Sequence, residues 1–586
     1  MKSLRQCLID CDMAMLRAIA QRRGIELTSN RHREVVEMLA EELVQPESVA
    51  DVLEGLKPQE REALEVLISE GGRKKLHLFI RQHGEIRAFG PGSLERERPW
   101  EDPVSAAEGL WYSGLIYRAF DEVEGQSSEF IFVPQDLLPL LPEVEKKPSA
   151  FVVEAAPTPS VIRQGDPSAG SVQGLALIQD ACLFLGYLQN EEVKPLKDGS
   201  LAGGDGERIT ERFLVKEDDT ERLAFIHHHC QRLGLVHVSE GLLKPNPPEA
   251  KRWLKASRGE QLRALQDAWR DNPDWNELWR IESLQCEPTG WRNDPLLARK
   301  KIMEYLGKCP PGQWLSLTSF TLAIKESDPD FQRPDGDYTS WYIRAVATGQ
   351  YLMGFEHWDQ VEGALVSYIV TTPLHWLGAT SLGYDAEGNP CSFLITPWGA
   401  AFPSTGLRPA LSIAEVAGLG LPGEPPTEMP SPPMVVQPDF TIIVPAEGNL
   451  YDRFQLERIA TWQSSGAHYI YRLTRDSLAR GVRQGIKIEM VLAFLKRVSG
   501  GKVPRNVVSA LRNWDKRRGH IRLRRALLLQ VEDELTMEEL STLPQTKVYL
   551  REIVSPKMAI VAQEDWPKLL DELRKLGYSP KMESEG

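Results

Sequence analysis

The chain has 586 residues, which suits about three to five domains, and its 42% hydrophobic and 26% charged residues are ordinary for soluble globular proteins. Its net charge of −14 argues against a protein that coats nucleic acid over its whole surface, although binding through one basic face stays open. We expect no membrane span, because no apolar run approaches roughly 18 residues, and we find no secretory signal at the N-terminus. The seven scattered cysteines predict no disulfide framework, so a cytoplasmic protein is expected.

Residues 1–48 contain two short amphipathic helices on either side of Gly24. This helical pair resembles a SAP motif, a small DNA-binding hairpin, and the resemblance implies phosphate contacts from four arginines: Arg22, Arg23, Arg31 and Arg33. The alternative is a helical cap that packs on the following domain, and we favour that alternative.

Three later segments each predict helices followed by a strand pair, which is the order of a winged helix. They are residues 50–143, 173–256 and 257–403. Residues 144–172 and 404–433 are rich in Pro, Ala, Ser and Gly and are predicted to be linkers, the first largely disordered and the second isolating the C-terminal region. The predicted fold class is α+β, with several winged-helix-like modules in tandem followed by a C-terminal α+β domain over residues 434–580.

Two groups of residues in the middle of the chain invite a functional interpretation. His227, His228 and His229 suggest a metal site, but adjacent residues on a helix face different directions, so a packed or solvated helix is favoured and no metal is predicted. The tryptophans 358, 376 and 398 have acidic or uncharged neighbours, which favours core positions over stacking platforms for bases.

The C-terminal region begins with MVVQPDFTIIV, which predicts a strand pair around a turn at residues 437–439. Thr474 is predicted to cap the next helix, and Pro504 to open the second helix of a helix-turn-helix pair. On that second helix, Val507, Leu511 and Trp514 have the spacing of one buried face. A basic hairpin is predicted to follow, which completes the order of a winged helix-turn-helix.

Positive charge concentrates in this region. Residues 472–525 contain 16 Lys/Arg and 3 Asp/Glu, a net charge of +13, so the rest of the chain carries −27. A basic island on an acidic protein predicts an anionic partner for that island.

The segments QPDFTIIV, YRLTRDSLARGVRQG and KVPRNVVSALRNWDKRRGHIRL resemble the domain at the N-terminus of XPB-type DNA helicases. The same fold is found as the clutch domain in the winged-helix subunit of transcription factor IIH, which holds XPB. The resemblance covers roughly residues 434–580 and implies a helicase-associated role in transcription or DNA repair. In XPB two ATPase lobes follow this domain, whereas none follows it in this sequence.

Motifs for catalysis are absent from the sequence. A P-loop needs GxxxxGK followed by Ser or Thr, but Lys308 is followed by Cys309 and Lys502 by Val503. The sequence also contains no acidic helicase box, GxSxG, HExxH or spaced CxxC pair. We therefore predict a protein that is not an enzyme and needs no cofactor.

Two functions fit these observations. In the first, the chain is a non-catalytic DNA-binding or helicase-accessory protein, and seven residues contact phosphate: Arg505, Arg512, Lys516, Arg517, Arg518, Arg522 and Arg524. In the second, the clutch-like domain is a protein–protein adaptor that docks onto a separate XPB-like helicase without binding DNA. The basic island would then meet an acidic partner.

Overall fold

In the computed structural model, the protein is a mixed α+β chain that forms two compact units. Unit 1 comprises Met1–Pro433 and Val444–Tyr471, and unit 2 comprises Met434–Ile443 and Arg472–Gly586. The structure describes residues 2–123, 126–144, 151–159, 173–197, 199–215, 220–333, 336–403, 415–416, 418, 431–516, 527–562 and 564–581.

The N-terminal part of unit 1 is a helical array joined to a small sheet. Its helices are α1 (Leu4–Ile9), α2 (Met13–Arg22), α3 (His32–Glu42), α4 (Pro46–Gly55), α5 (Pro58–Ser69), α6 (Leu76–His83), α7 (Pro91–Glu97) and α8 (Ala106–Tyr112). Its strands are β1 (Arg73–Lys75), β2 (Tyr117–Val123) and β3 (Gln126–Phe132), which pair antiparallel in the order β1-β3-β2. Apolar residues of α1, α2 and α3 lie in the same core as those of α5 and α8, so the helices of residues 1–48 and the following segment share one core.

The remainder of unit 1 contains two more groups of helices and strands in which the same strand order recurs. The next helices are α9 (Gln173–Asn190), α10 (Gly203–Thr210), α11 (Glu221–Arg232), α12 (Pro247–Lys255), α13 (Arg258–Arg270), α14 (Pro295–Leu306), α15 (Leu317–Ser327), α16 (Ala364–Thr371), α17 (Pro373–Trp376) and α18 (Pro397–Ala400). The strands are β4 (Val236–Ser239), β5 (Leu242–Pro245), β6 (Leu284–Cys286), β7 (Trp314–Ser316), β8 (Ile343–Ala345), β9 (Thr380–Tyr384) and β10 (Pro390–Ile395).

The repeat is visible in strand order. Strands β7, β9 and β10 pair in the order β7-β10-β9, which matches β1-β3-β2. In the middle copy, Val193 forms an isolated bridge to Leu243 of β5, and β5 also pairs with β4. The strand that comes last in sequence therefore again lies between the other two. The designation of these three copies as winged helices stays a prediction.

In each copy, the helix that precedes the last two strands ends in the same way. Gly114, Gly234 and Gly378 adopt φ values of 69°, 67° and 70°. In each case the amide of the residue after the glycine donates to the carbonyl five residues earlier: Leu115 to Leu110 at 3.2 Å, Leu235 to Cys230 at 2.9 Å and Ala379 to Leu374 at 2.8 Å. This is a Schellman cap, for which glycine is favoured because it has no Cβ to clash at positive φ. In the middle copy this cap ends α11 at Arg232, two residues before Gly234.

Two of the four arginines proposed for a SAP-like surface point into the protein. Arg23 donates to the carbonyls of Ser113 and Ser48 at 3.1 and 2.8 Å, and burial lowers the pKa of its guanidinium to about 10. Arg22 donates to the carbonyl of Trp100 at 3.0 Å. The guanidinium groups of both residues donate to backbone carbonyls of neighbouring segments. These two side chains therefore do not form a phosphate-binding surface. The favoured alternative, a packed helical cap, agrees with this arrangement.

Part of the first predicted linker is ordered. Ala155 bridges Leu315 of β7, and Ala156 N donates to Trp314 O at 2.9 Å. The Phe151 ring lies 4.8 Å from that of Tyr305. The expectation of disorder was therefore wrong for residues 151–159, because a short apolar and extended segment can add to a sheet edge despite a Pro/Ala-rich composition.

Residues 444–471 belong to unit 1 and contain α19 (Leu450–Leu456), β13 (Thr461–Ser464) and part of β14 (His468–Arg472). Helix α19 packs on α9. Buried Arg453 donates to Gln179 Oε1 at 2.6 Å and to the Gln179 carbonyl at 2.9 Å, and Asn190 Nδ2 donates to Glu457 O at 2.8 Å. The compact units therefore do not follow the predicted boundary at residue 434. The remaining predicted boundaries stay predictions.

The predicted core positions of the three tryptophans are confirmed, since Trp358, Trp376 and Trp398 are all buried. The adjacent histidines of α11 diverge, as expected on a helix. His229 Nδ1 donates to Phe225 O at 2.7 Å, whereas the His228 ring bonds to Asn272 at 2.7 Å.

Unit 2 begins with the strand pair β11 (Val435–Val436) and the start of β12 (Thr441–Pro445), in which Val436 lies opposite Ile442. Its helices are α20 (Arg475–Arg483), α21 (Ile488–Val498), α22 (Arg505–Lys516), α23 (Glu534–Thr542), α24 (Pro544–Lys547) and α25 (Trp566–Lys575). Strands β15 (Leu527–Gln530), β16 (Leu550–Ser555) and β17 (Met558–Val561) form an antiparallel sheet in the order β15-β17-β16. Its core contains Leu540, Leu569 and Leu573.

Candidate nucleic-acid interface

Helix α22 has one buried and one exposed face. Val507 and Leu511 are fully buried and Trp514 is half-buried, which confirms the predicted apolar face. Arg505 and Arg512 are exposed on the other side of the helix. Within the described residues, neither arginine is paired with a carboxylate, so both guanidinium groups face solvent with their charge uncompensated.

Two further helices supply basic residues around α22. Thr474 caps α20, because its hydroxyl accepts from Ser477 N at 3.0 Å, as predicted. Helix α21 packs on α22 through an apolar face that includes Val491 and Leu495. Besides Arg497, six exposed basic residues lie in this part of unit 2: Arg472, Arg475, Arg483, Lys487, Lys496 and Lys502. We call these six, together with Arg505 and Arg512, the basic surface.

The turn between β11 and β12 lies against α22. Asn506 Nδ2 donates to the carbonyl of Pro438 at 2.7 Å, and Leu473 N donates to the carbonyl of Phe440 at 2.9 Å. Within the turn, Thr441 N and its hydroxyl donate to the Asp439 carboxylate at 3.1 and 3.0 Å. The hydrogen bond from the Thr441 backbone holds the pKa of Asp439 below its ordinary value. Hydrogen bonds from Asn506 and Leu473 thus attach the turn to its neighbours, and those from Thr441 stabilise its internal conformation.

An aromatic pair joins this turn to the helix. The Phe440 and Trp514 rings stack with centroids 5.2 Å apart and an interplanar angle of 26°. The Arg475 guanidinium lies 5.9 Å from the Trp514 ring, within reach of a cation–π interaction. Both rings are half-buried, so part of the pair is accessible beside the positive charge.

The structure brings together only part of the predicted site. Arg505 and Arg512 are exposed on one helix as expected, and Lys516 is the last residue of that helix. The other four predicted contacts lie outside the described residues: Arg517, Arg518, Arg522 and Arg524. The predicted basic hairpin falls largely on the same stretch; its described end, β15, pairs with β17. Pro504 differs slightly from the prediction, since it precedes the helix and its carbonyl accepts from Val508 N at 3.2 Å.

Sequence reasoning missed residues that the structure adds to this surface. Arg472 and Arg475 were counted in the basic island but were not assigned to the site. Arg472 ends β14, and Arg475 begins α20 with its guanidinium 5.9 Å from the Trp514 ring of α22. Phe440 was overlooked as well. The signal for it was the sequence Pro438-Asp439-Phe440, in which a bulky residue stands where a turn usually needs glycine.

Two other kinds of feature are absent from the described residues. Among the described residues, no group of three or more His, Cys, Asp or Glu is arranged to hold a metal ion. No described helix is long and apolar enough to cross a membrane.

Comparison with known proteins concerns the region that contains this surface. Residues 434–554 match the family described as Helicase conserved C-terminal domain, whereas no curated protein matches the chain. The matched segment includes the turn, all three helices α20 to α22 and the sheet strands β15 and most of β16. The C-terminal region of this chain is therefore helicase-related.

Proposed function

We propose that this chain is a non-catalytic DNA-binding or helicase-accessory protein that contacts nucleic-acid phosphates through the basic surface. The observation that carries the proposal is the two-faced helix α22, in which Val507 and Leu511 are buried while Arg505 and Arg512 are exposed. Lysine and arginine that face solvent without carboxylate partners are the groups that replace counterions along a phosphate backbone.

Three further findings support this proposal. The match to a helicase-related family covers the whole basic surface. The net charge of +13 over residues 472–525 contrasts with −27 on the rest of the chain, which favours one binding face and disfavours nonspecific coating. The strand order repeats within unit 1, as would be expected for tandem winged-helix modules, and this repetition supports the interpretation of unit 1 as a scaffold.

The test is a binding titration of the full chain with a fluorescent DNA probe at low salt. The variant R505E/R512E reverses two charges on the exposed face of α22. Its control is R96E/R252E, which changes net charge equally at two exposed arginines of unit 1, 75% and 78% accessible. We expect at least a 10-fold loss of affinity in the first variant and little change in the control. Equal behaviour of the two variants would remove DNA binding from this surface.

We further propose that the chain does not hydrolyse ATP. The sequence contains neither a phosphate-binding loop nor an acidic box to hold Mg²⁺, and both are needed for nucleotide hydrolysis by helicases. Purified protein would be assayed with and without single-stranded DNA. Turnover that is stimulated by DNA and co-purifies with the chain through several columns would contradict this proposal.

A second candidate function is that of an adaptor that docks onto an XPB-like helicase. The observation that favours it is an apolar surface at both edges of the C-terminal sheet, where Leu528, Ile553 and Val554 are 56%, 53% and 57% exposed. Exposed apolar strand edges commonly mark protein-binding surfaces. The variant L528E/I553E should lose capture of such a helicase while keeping DNA affinity. If R505E/R512E alone abolished capture, the basic surface would be the docking surface.

A further inference from the structure

The turn between β11 and β12 has a bulky residue in a backbone conformation that favours glycine. Gln437 N donates to Thr441 O at 2.8 Å, which leaves a three-residue loop of Pro438, Asp439 and Phe440. In such loops a type I turn is followed by a left-handed residue, usually glycine. Phe440 occupies that position with φ of 72°. A left-handed conformation is unfavourable for a residue with a Cβ, and such strain is often retained at functional sites.

The ring of Phe440 is held in place but only half-buried. It stacks on Trp514, and the turn is tied to α22 by the Asn506 bond to Pro438. If the residue served packing alone, the ring would be expected to lie fully in the core, as Val507 and Leu511 do. Instead, a partly accessible aromatic pair joins the turn to α22.

The surroundings of this pair are mainly basic. Arg475 lies 5.9 Å from the Trp514 ring, and Arg472 and Arg505 are exposed on the segments that border the turn. The carboxylates next to Phe440, Arg475 and Trp514 in sequence are Asp439, Asp476 and Asp515, and Asp439 accepts two hydrogen bonds from Thr441. Aromatic rings next to a basic track are the arrangement by which proteins bind unpaired bases.

We propose that Phe440 and Trp514 form a stacking platform for an unpaired base, so that the basic surface binds single-stranded nucleic acid in preference to duplex. The inference rests on the proposed function and specifies its substrate class. Bases within a duplex are already stacked on their neighbours and cannot reach the platform, whereas a single strand can lay one base on the rings while its phosphates contact the arginines.

The test compares three probes of about 20 nucleotides with equal phosphate number: a single strand of thymidine, the same strand without bases, and a duplex hairpin whose loop nucleotides lack bases. The variants are F440G, which suits the left-handed turn, and F440L, which retains an apolar side chain without a ring. We expect both variants to lose about 5-fold or more in affinity for the thymidine strand, since stacking on one ring contributes that much. Affinity for the strand without bases and for the duplex should not change.

The outcomes separate this inference from the proposed function. Unchanged thymidine-strand binding by F440G, or full binding by F440L, would overturn the platform and leave phosphate binding in place. An equal loss on all three probes would also overturn it, because the ring would then act on the basic surface as a whole. Failure of the wild-type chain to bind any probe would overturn both.

Discussion

Acidification is expected to destabilise unit 1 through two buried histidines of α11. His227 is 6% exposed and His229 is fully buried, and Nε2 of each ring has no hydrogen-bond partner within the described chain. Burial is the main cause that lowers the pKa of His227 to about 4 and that of His229 to about 3, from an ordinary value of 6.5. Both rings are thus neutral in the folded protein at a pH at which they are protonated in the unfolded chain.

The sign and size of the effect follow from this difference in proton binding. Between pH 6.5 and the lowered values, the unfolded state binds more protons than the folded state, so stability is complete above about pH 7 and falls as the pH decreases. From pH 7 to pH 5, each histidine should reduce the free energy of unfolding by about 2 kcal/mol.

The assay is urea unfolding of the full chain, followed by tryptophan fluorescence at pH 7 and pH 5. The variant H229F keeps a ring of similar shape but cannot titrate, so its loss of stability between the two pH values should be about 2 kcal/mol smaller than that of the wild type. His237, which is exposed, provides the control H237Q. An identical loss in H229F and the wild type would show that His229 is not the source of the acid sensitivity.

Two other predictions concern unit 1. A Cβ added at Gly234 would meet no atom within 4 Å, so G234A should lower the free energy of unfolding only by the left-handed strain, about 1 kcal/mol. A Cβ added at Gly114 would lie 3.1 Å from Ile19 Cγ2, so G114A should add a steric cost to the same strain. Denaturation midpoints should therefore fall further for G114A, and the reverse order would refute the cap assignment. Truncation after residue 433 should expose the face of α9 that packs on α19 and cause aggregation, whereas truncation after residue 471 should not. Light scattering of the two fragments would measure their aggregation. A monodisperse 1–433 fragment would contradict the expected role of α19 in covering α9.

Local signals in the sequence predicted local structure well. The Thr474 cap, the end of α11 before Gly234 and the buried face with Val507 and Leu511 all follow from short-range preferences that act within a few residues. The mixed α+β class follows from the same preferences, because helical and strand periodicities both occur along the chain.

Features that depend on long-range packing were not predictable in this way. The sequence around Arg22 and Arg23 cannot show that their side chains point inward, since the acceptors at Trp100, Ser48 and Ser113 lie 25 to 90 residues away. The same reason explains why Ala155 was expected in a linker and why residues 444–471 were assigned to the C-terminal domain. In both cases a partner strand or helix that is distant in sequence decided where the segment lies.

The salt dependence of DNA binding tests the central claim most directly. The full chain and the variant R505A/R512A would be titrated with one DNA probe at several salt concentrations, and the logarithm of the binding constant plotted against that of the salt concentration. If the exposed face of α22 contacts phosphate, the wild-type plot should be steep and the variant slope should be smaller by about two units, one for each arginine. A folded variant with the same affinity and slope as the wild type would contradict the assignment of this surface to nucleic acid.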